Sequence, residues 1–207
     1  MFRRKEAIFG ELLRDVIVER VHHLPNFSPD LLGAAPATLP VPAGAPTVLA
    51  LGRLHRNKAF DVLIRAMALL PGTHLVIAGE GPEHDALTTL ARRLQIADRV
   101  HLIGWRQDQG ALLAASHVLA CPSRHEPLGN VVLEAWSAAR PVVAANSAGP
   151  SELLRPGTDG LLVPREDAPA LAAALRDAMA TPRLLQLAQR TSALAPVDGQ
   201  HPGSNQL

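Results

Sequence analysis

The stretch TVLALGRLHRNKAFDVLIRAMALLPGTHLVIAG, residues 47–79, contains the pattern that decides the fold. Two short apolar runs, 47–52 and 74–79, each end in glycine and have the length and composition of buried β-strands. Between them, apolar side chains recur at the spacing of one helical face, namely at Phe60, Leu63, Ile64, Met67 and Ala68. Wholly apolar strands that alternate with helices are typical of a parallel sheet covered on both faces.

The same alternation continues toward the C-terminus. The pattern predicts further strands at 99–104, 117–121, 141–145 and 160–164. It predicts one helix that begins at Pro82 and Glu83, and three more at 107–115, 128–139 and 168–179. We therefore predict an α/β fold, a Rossmann-like doubly wound parallel sheet. In such sheets ligands bind at the carboxyl ends of the strands. That rule points to the segments after Gly52, Gly79, Gly104, Cys121 and Ala145.

Composition excludes several classes of function. Lysine and arginine number 20 against 19 acidic residues, and aromatic residues are 3% of the chain, so neither a basic footprint nor a stacking platform for nucleic acid is expected. The single cysteine, Cys121, lies in an apolar run and is expected to be a buried core thiol. With no membrane-spanning stretch and no signal peptide, we expect a cytoplasmic protein, at most peripheral at the inner face of the membrane.

The chain divides into three parts by composition. Residues 1–46 contain one candidate helix or strand at 8–21 and then a tract rich in proline and alanine, which we interpret as a linker or the remnant of a preceding domain. Residues 47–182 form the predicted domain. Residues 183–207 are expected to be a short helix and a disordered tail.

Two cations follow the first strand directly. Arg53 and Lys58, next to Gly52, stand where a strand gives way to a helix, and such a position favours an anion site. The alternative is two solvated surface charges.

Two carboxylates follow the fourth strand, in SRHEPLGNVVLEAW at 123–136. Glu126 precedes a predicted helix, and Glu134 lies within it. With a helix start near Leu128, Glu134 is roughly 9 Å along the axis at ~1.5 Å per residue, about the reach of a diphosphate between a sugar and a ribose. The alternative is an exposed capping acid and a solvated helix residue.

Five segments in order, GRLHRNKAFDVLI, VIAGEGP, CPSRHEPLGNVVLEAW, PVVAANSAGPSELL and DGLLVP, resemble the C-terminal domain of family 4 glycosyltransferases. These are two-domain enzymes of the GT-B architecture, and the resemblance covers residues 20–180. It implies transfer of a sugar from a nucleoside-diphosphate sugar with retention of configuration, most similar to enzymes of bacterial envelope polysaccharide or lipopolysaccharide synthesis. It implies no cofactor and no metal ion.

The resemblance also implies roles for single residues. Arg53 and Lys58 match cations that bind the donor diphosphate and stabilise it as leaving group, and Glu126 matches the acid that contacts the transferred sugar. Glu134 matches the acid that binds the nucleotide ribose. Backbone groups near sugar and phosphate are implied at Gly52, Leu128, Gly129 and Asn130.

Four departures from the family pattern accompany this resemblance. Ala59 stands where the family often has glycine after the lysine, and Ala139-Arg140 stands where Ala-Gly is frequent before PVV. Both are tolerable if the backbone avoids positive φ there. The resemblance implies an acceptor-binding N-terminal domain before residue 20 and a closing helix after residue 190, and neither pattern is recognised in this sequence. We therefore expect only the donor-binding half, inactive by itself, with the N-terminal domain missing or on a separate chain.

Two other functions stay open at this stage. One is a non-catalytic module that binds nucleotide sugars, and the other is a GT-B sugar epimerase. Among the remaining residues, His22 and His23 are expected to belong to the linker and His125 to lie near the donor. Trp136 is expected to pack in the core, and Trp105 to border the base.

Overall fold

A computed structural model describes residues 31–180, which contain one six-stranded sheet. The strands are β1 Thr47–Leu51, β2 His74–Ala78, β3 Val100–Leu102, β4 Val118–Cys121, β5 Val142–Ala145 and β6 Leu161–Val163. Their order is β3-β2-β1-β4-β5-β6, and every neighbouring pair is parallel. The predicted parallel sheet is confirmed, with the strand order of a dinucleotide-binding Rossmann fold.

Six α-helices connect or follow the strands in this part of the chain. They are α1 Phe60–Met67, α2 His84–Arg93, α3 Gln109–Ala114, α4 Asn130–Ser137, α5 Ala148–Leu153 and α6 Ala168–Ala180. Short 3₁₀ helices occupy Arg56–Lys58 and Ala97–Arg99.

Each face of the sheet is covered by its own hydrophobic cluster, as a doubly wound fold requires. Alternate residues of β1 point to opposite faces, so Val48 and Ala50 belong to one cluster and Leu49 and Leu51 to the other. Helices α1, α2 and α6 pack on the first face, and α3 and α4 on the second. The strands have apolar side chains on both faces, which explains why they read as continuous apolar runs.

The chain reverses its direction of winding between β1 and β4. The strands β2 and β3 extend the sheet on one side of β1, and β4, β5 and β6 extend it on the other. The carboxyl ends of β1 and β4 therefore flank the crevice in which open α/β sheets bind ligands.

Residues 31–46 contain no helix or strand and pack against the second cluster through Leu31, Leu39 and Val41. The Ala37 amide donates to the Ala111 carbonyl over 2.9 Å, so this tract is docked on α3. The candidate element at 8–21, His22 and His23, and the tail at 183–207 lie outside the described residues. No helix within residues 31–180 is long and apolar enough to cross a membrane.

Several element boundaries differ from the predicted ones. The helix predicted from Leu128 begins at Asn130, because Gly129 adopts a left-handed conformation with φ 70° and cannot be its first residue. The helix predicted from Pro82 begins at His84. Helix α5 was not predicted at all, since Gly149 and Pro150 within it read as a turn. Pro150 is its third residue, where no intrahelical N–H bond is required.

The condition stated for the replaced glycines, that the backbone avoids positive φ, is not met at Ala59 or within the Ala139-Arg140 pair. Ala59 has φ 54° and Ala139 has φ 53°, so both adopt the left-handed conformation that favours glycine. Both are buried at helix ends, where the chain must turn sharply between a helix and its neighbour. Packing therefore holds these alanines in a strained conformation.

Candidate functional site

The candidate site lies at the carboxyl ends of β1 and β4. After β1 the chain passes Gly52 and Arg53 and enters the 3₁₀ helix Arg56–Lys58, whose amino end is capped by the His55 ring. The ring nitrogen accepts from the Asn57 amide over 3.3 Å. After β4, residues 122–129 run beside this loop, and the His125 amide donates to the Asn57 carbonyl over 3.3 Å. The two loops that carry the predicted site residues are thus in direct contact.

Lys58 and Glu126 form an ion pair between these loops. The Lys58 Nζ atom lies 2.5 Å from Glu126 Oε2, and the side chains are 23% and 11% exposed. The Ser123 hydroxyl donates to the same carboxylate oxygen over 3.3 Å, and the Glu126 carbonyl accepts from the Gly149 amide over 2.7 Å. Both charges are therefore fixed in place and partly shielded from water.

Gly52 allows this arrangement because it has no side chain. A Cβ atom at this position would lie 3.1 Å from Lys58 Cε, and the backbone has φ 138°, which side-chain-bearing residues rarely adopt. The lysine stem therefore lies directly against the backbone at the end of β1.

Glu134 lies on α4, half-buried and close to both charges of the ion pair. Burial raises its pKa, the Lys58 charge acts to lower it, and the Glu126 charge raises it again. The alternative of a solvated helix residue is therefore wrong for Glu134, and that of an exposed capping acid is wrong for the buried Glu126. Because α4 begins at Asn130, Glu134 is roughly 6 Å along the axis from the helix start at ~1.5 Å per residue, not 9 Å.

A cleft of about 410 Å³ opens at the carboxyl ends of β1, β2 and β3. Its walls include Gly52, Arg53, Glu80, Trp105, Arg106 and Glu134. The predicted residues Arg53, Gly52 and Glu134 thus meet around one cavity. Of the others, Leu128, Gly129 and Asn130 form the turn into α4, where the Leu128 side chain is exposed.

Sequence reasoning missed three residues of this cleft, namely Glu80, Arg106 and Gln109. Arg106 binds Asp108 with two hydrogen bonds, from Nε over 2.8 Å and from Nη2 over 2.5 Å. Glu80 follows β2 closely and Arg106 follows β3 closely. The rule that ligands bind at strand ends pointed to both segments, but it selected no residue within them. Their position after Gly79 and Gly104 was the available signal.

The other singled-out residues have mixed outcomes. Trp136 is 6% exposed and donates from Nε1 to the Asp159 carbonyl over 2.8 Å, so its packing role is confirmed. Cys121 is buried as expected, and burial raises the pKa of its thiol to about 11. Trp105 is 61% exposed in the cleft wall. Among residues 31–180, no group of three or more His, Cys, Asp or Glu side chains could hold a metal ion.

A doubly wound parallel sheet with charged loops meeting at its switch point defines a Rossmann-like ligand-binding domain. The chain belongs to the family described as glycosyl transferases group 1, whose model matches residues 45–181.

Similarity to a known glycosyltransferase supports this membership. The chain is 43% identical over 155 residues to the lipopolysaccharide core biosynthesis glycosyltransferase LpsE of Rhizobium meliloti (strain 1021), covering 74% of this chain and 46% of that protein. The chain therefore spans less than half the length of this relative.

Solved structures show the same fold. Anabaena HepE in complex with UDP and glucose superposes with a TM-score of 0.70 at 30% identity, covering 73% of this chain and 44% of that one. Sucrose-phosphate synthase of Thermosynechococcus elongatus superposes with a TM-score of 0.75 at 28% identity, covering 93% and 52%.

Proposed function

We propose that this chain binds the donor of a retaining glycosyltransferase, which transfers a sugar from a nucleoside-diphosphate sugar to an acceptor in envelope polysaccharide or lipopolysaccharide synthesis. One observation carries the proposal: the Lys58–Glu126 pair, with its 2.5 Å separation, lies against the wall of a cleft that Arg53 and Glu134 line. The name of LpsE supports the process, and the complex of HepE with UDP and glucose supports the class of donor.

The diphosphate has a matching set of positive groups. A lysine ammonium has three N–H donors, so one bond to Glu126 leaves two for phosphate oxygens. The exposed Arg53 adds a second cation on the cleft wall, and the turn through Leu128 and Gly129 ends at the amino terminus of α4, where backbone N–H groups favour anions. Positive charge therefore converges where β1 and β4 end.

The nucleoside has a matching cavity beside these cations. Glu134 presents a half-buried carboxylate to the cleft, and a carboxylate accepts hydrogen bonds from the two ribose hydroxyls. The base then extends along the ends of β2 and β3 toward Trp105, whose indole is exposed in the cleft wall. Glu126, which pairs with Lys58, is left to contact the sugar.

The chemistry depends on charge that develops as the bond to the sugar breaks. Negative charge accumulates on the departing nucleoside diphosphate, and Lys58 and Arg53 stabilise it from fixed positions. Removal of one such preorganised group commonly costs ~10²–10³ in rate. We also propose that the acceptor side of the cleft is formed by residues beyond this chain, in the part of LpsE that it does not match, so that the chain alone transfers no sugar.

Calorimetric titration of the purified chain with UDP, GDP and ADP tests the donor site. We expect one nucleotide to bind and Glu134→Ala to weaken it by ~10-fold or more, because a hydrogen bond to a charged group contributes about 1.5–3 kcal/mol. The matched control is Glu152→Ala, an exposed glutamate on α5. A folded sample that binds none of the three nucleotides, or equal losses in both variants, would contradict the donor site. Transfer of sugar by the purified chain alone would contradict the absence of the acceptor side.

A further inference from the structure

The guanidinium of Arg124 has a hydrogen-bond acceptor for each of its five N–H groups. Nη1 donates to the Arg56 carbonyl over 2.6 Å and to Asp61 Oδ1 over 2.8 Å. Nη2 donates to Asp61 Oδ2 over 2.7 Å and to Glu166 Oε2 over 3.0 Å. Nε donates to the second oxygen of Glu166. Arginine has five N–H donors in one plane, so the group is fully used.

These acceptors lie in two segments at the edge of the site, one at 56–61 that contains Lys58 and one after β6. Arg56 begins the 3₁₀ helix that ends with Lys58, and Asp61 is in the first turn of α1. Glu166 follows β6 and has φ 64°, a strained conformation for glutamate. Arg124 itself precedes Glu126 by two residues. One side chain therefore joins the lysine-bearing loop, the glutamate-bearing loop and the loop after β6.

Net stability does not account for such an arrangement. The side chains of Arg124, Asp61 and Glu166 are 25%, 37% and 54% exposed, and ion pairs in contact with water contribute little to the free energy of unfolding. The site gains a fixed guanidinium orientation, because two bidentate carboxylates and one carbonyl bind the planar group from all sides. Burial disfavours the Asp61 carboxylate, yet the hydrogen bonds and charge of Arg124 outweigh it and lower its pKa.

The segment that carries Lys58 has few direct contacts with the loop at 122–129. It contacts this loop through the Lys58–Glu126 pair and through the single backbone bond from His125 to Asn57. Arg124 adds three further bonds, one to Arg56 and two to Asp61, on either side of the lysine in sequence. Loss of these bonds frees the 3₁₀ helix to move relative to Glu126.

We propose that Arg124 is a positioning residue, which holds the Lys58 ammonium opposite Glu126 and thereby sets the affinity of the site for a diphosphate. Its role rests on the proposed function, in which Lys58 binds the donor diphosphate. All five N–H groups of Arg124 are used within the protein, so in this proposal it acts through Lys58.

The test compares Arg124→Gln and Arg124→Lys with the matched control Arg155→Gln, which removes an arginine paired with Asp159 away from the site. Calorimetry measures affinity for the nucleoside diphosphate that the chain binds and for the corresponding monophosphate. We expect both Arg124 variants to weaken diphosphate binding by about tenfold, as for loss of one charged hydrogen bond, and to change monophosphate binding far less. Arg124→Lys should weaken binding as well, because a lysine ammonium cannot make the planar set of bonds that the guanidinium makes.

A double-mutant cycle separates positioning from general stability. In a Lys58→Met background, Arg124→Gln should have little further effect on diphosphate affinity, because the group that it positions is absent. Equal weakening in both backgrounds, or a lower midpoint of thermal unfolding with unchanged affinity, overturns the role of Arg124. If Lys58→Met weakens binding and Arg124→Gln does not, the donor site stands and the role of Arg124 falls.

A second measurement needs no ligand. Amide hydrogen exchange at His125, whose N–H donates to Asn57, should be faster in Arg124→Gln and in Asp61→Asn than in the unaltered chain. Exchange at Gly157, whose N–H donates to Gly160 in a distant loop, should not change. Unchanged exchange at His125 overturns the role of Arg124 even if no nucleotide binds.

Discussion

Lys58 and Glu126 are 68 residues apart in sequence, and their charged groups meet at 2.5 Å across the boundary between β1 and β4. The carboxylate thus compensates the ammonium before any anion arrives. A bound diphosphate must share the ammonium with Glu126, so the two anions compete for one cation.

This competition predicts opposite effects of two substitutions. Glu126→Gln removes the competing charge and should tighten binding of the free nucleoside diphosphate. Lys58→Met removes the cation and should weaken binding by about tenfold, since a hydrogen bond to a charged group contributes about 1.5–3 kcal/mol. Isothermal calorimetry at constant ionic strength measures both. Weaker binding in Glu126→Gln would show that the carboxylate contacts the ligand favourably instead of competing with it.

The exposed indole of Trp105 predicts a signal that reports on the base. Trp105 is 61% exposed and Trp136 only 6%, so a nucleotide in the cleft should change the emission of Trp105 almost alone. Trp105→Ala should weaken nucleoside diphosphate binding by at least about fivefold, because stacking on an aromatic ring contributes about 1–3 kcal/mol per base. Affinity for pyrophosphate, which has no base, is the control and should stay unchanged. Equal losses for both ligands would place the indole outside the base site.

The stacked rings of His74 and His101 predict destabilisation by acid. Their nearest nitrogens are 3.2 Å apart, and burial followed by the charge of His74 lowers the pKa of His101 below its ordinary 6.5, although Asp98 opposes this shift. The unfolded chain then binds a proton at higher pH than the folded one, so stability falls as pH drops below about 6.5.

Urea denaturation at pH 8 and pH 5.5 measures this effect. The loss of stability between the two pH values should be smaller in His101→Gln than in the unaltered chain. The control is His84→Gln, which alters an exposed histidine on α2 and should leave the loss unchanged. An undiminished loss in His101→Gln would assign the acid sensitivity to other groups.

The left-handed alanine at the end of α4 predicts an unusually small cost for glycine. Ala139→Gly relieves strain of about 1–2 kcal/mol and loses about 0.8 kcal/mol for the buried methyl group. It also costs about 0.5–1 kcal/mol in chain entropy, so the net change should be near zero. Ala135→Gly, within α4, has no strain to relieve and should be more destabilising by about 1 kcal/mol or more. Equal free energies of unfolding for the two variants would contradict the strain.

Local patterns predicted every strand of the described sheet and five of its six α-helices. Apolar runs and helical spacing are local signals, and burial on both faces of a parallel sheet keeps them strong. Helix α5 was not predicted because Gly149 and Pro150 resemble a turn. The left-handed conformation of Ala139 was not predicted because packing at the end of α4 imposes its strain.

The candidate site was only partly predictable for a different reason. Residue type and position after a strand singled out Arg53, Lys58, Glu126 and Glu134, and the resemblance to family 4 glycosyltransferases supplied their roles. The contact between Lys58 and Glu126 depends on β1 lying next to β4, and no local pattern encodes which strands are neighbours. The bonds of Arg124 depend on the same strand order together with the position of β6, so this residue was not selected.

The place of β1 in the middle of the sheet has a consequence for synthesis on the ribosome. The strand β2 follows β1 within about one crossover, but β4 is made only after β3 and α3 have emerged. Until then one edge of β1 has unpaired N–H and C=O groups, which can pair with another chain. When β4 pairs with β1, the nascent protein therefore forms its charged crevice and covers the unpaired edge of β1 in a single step.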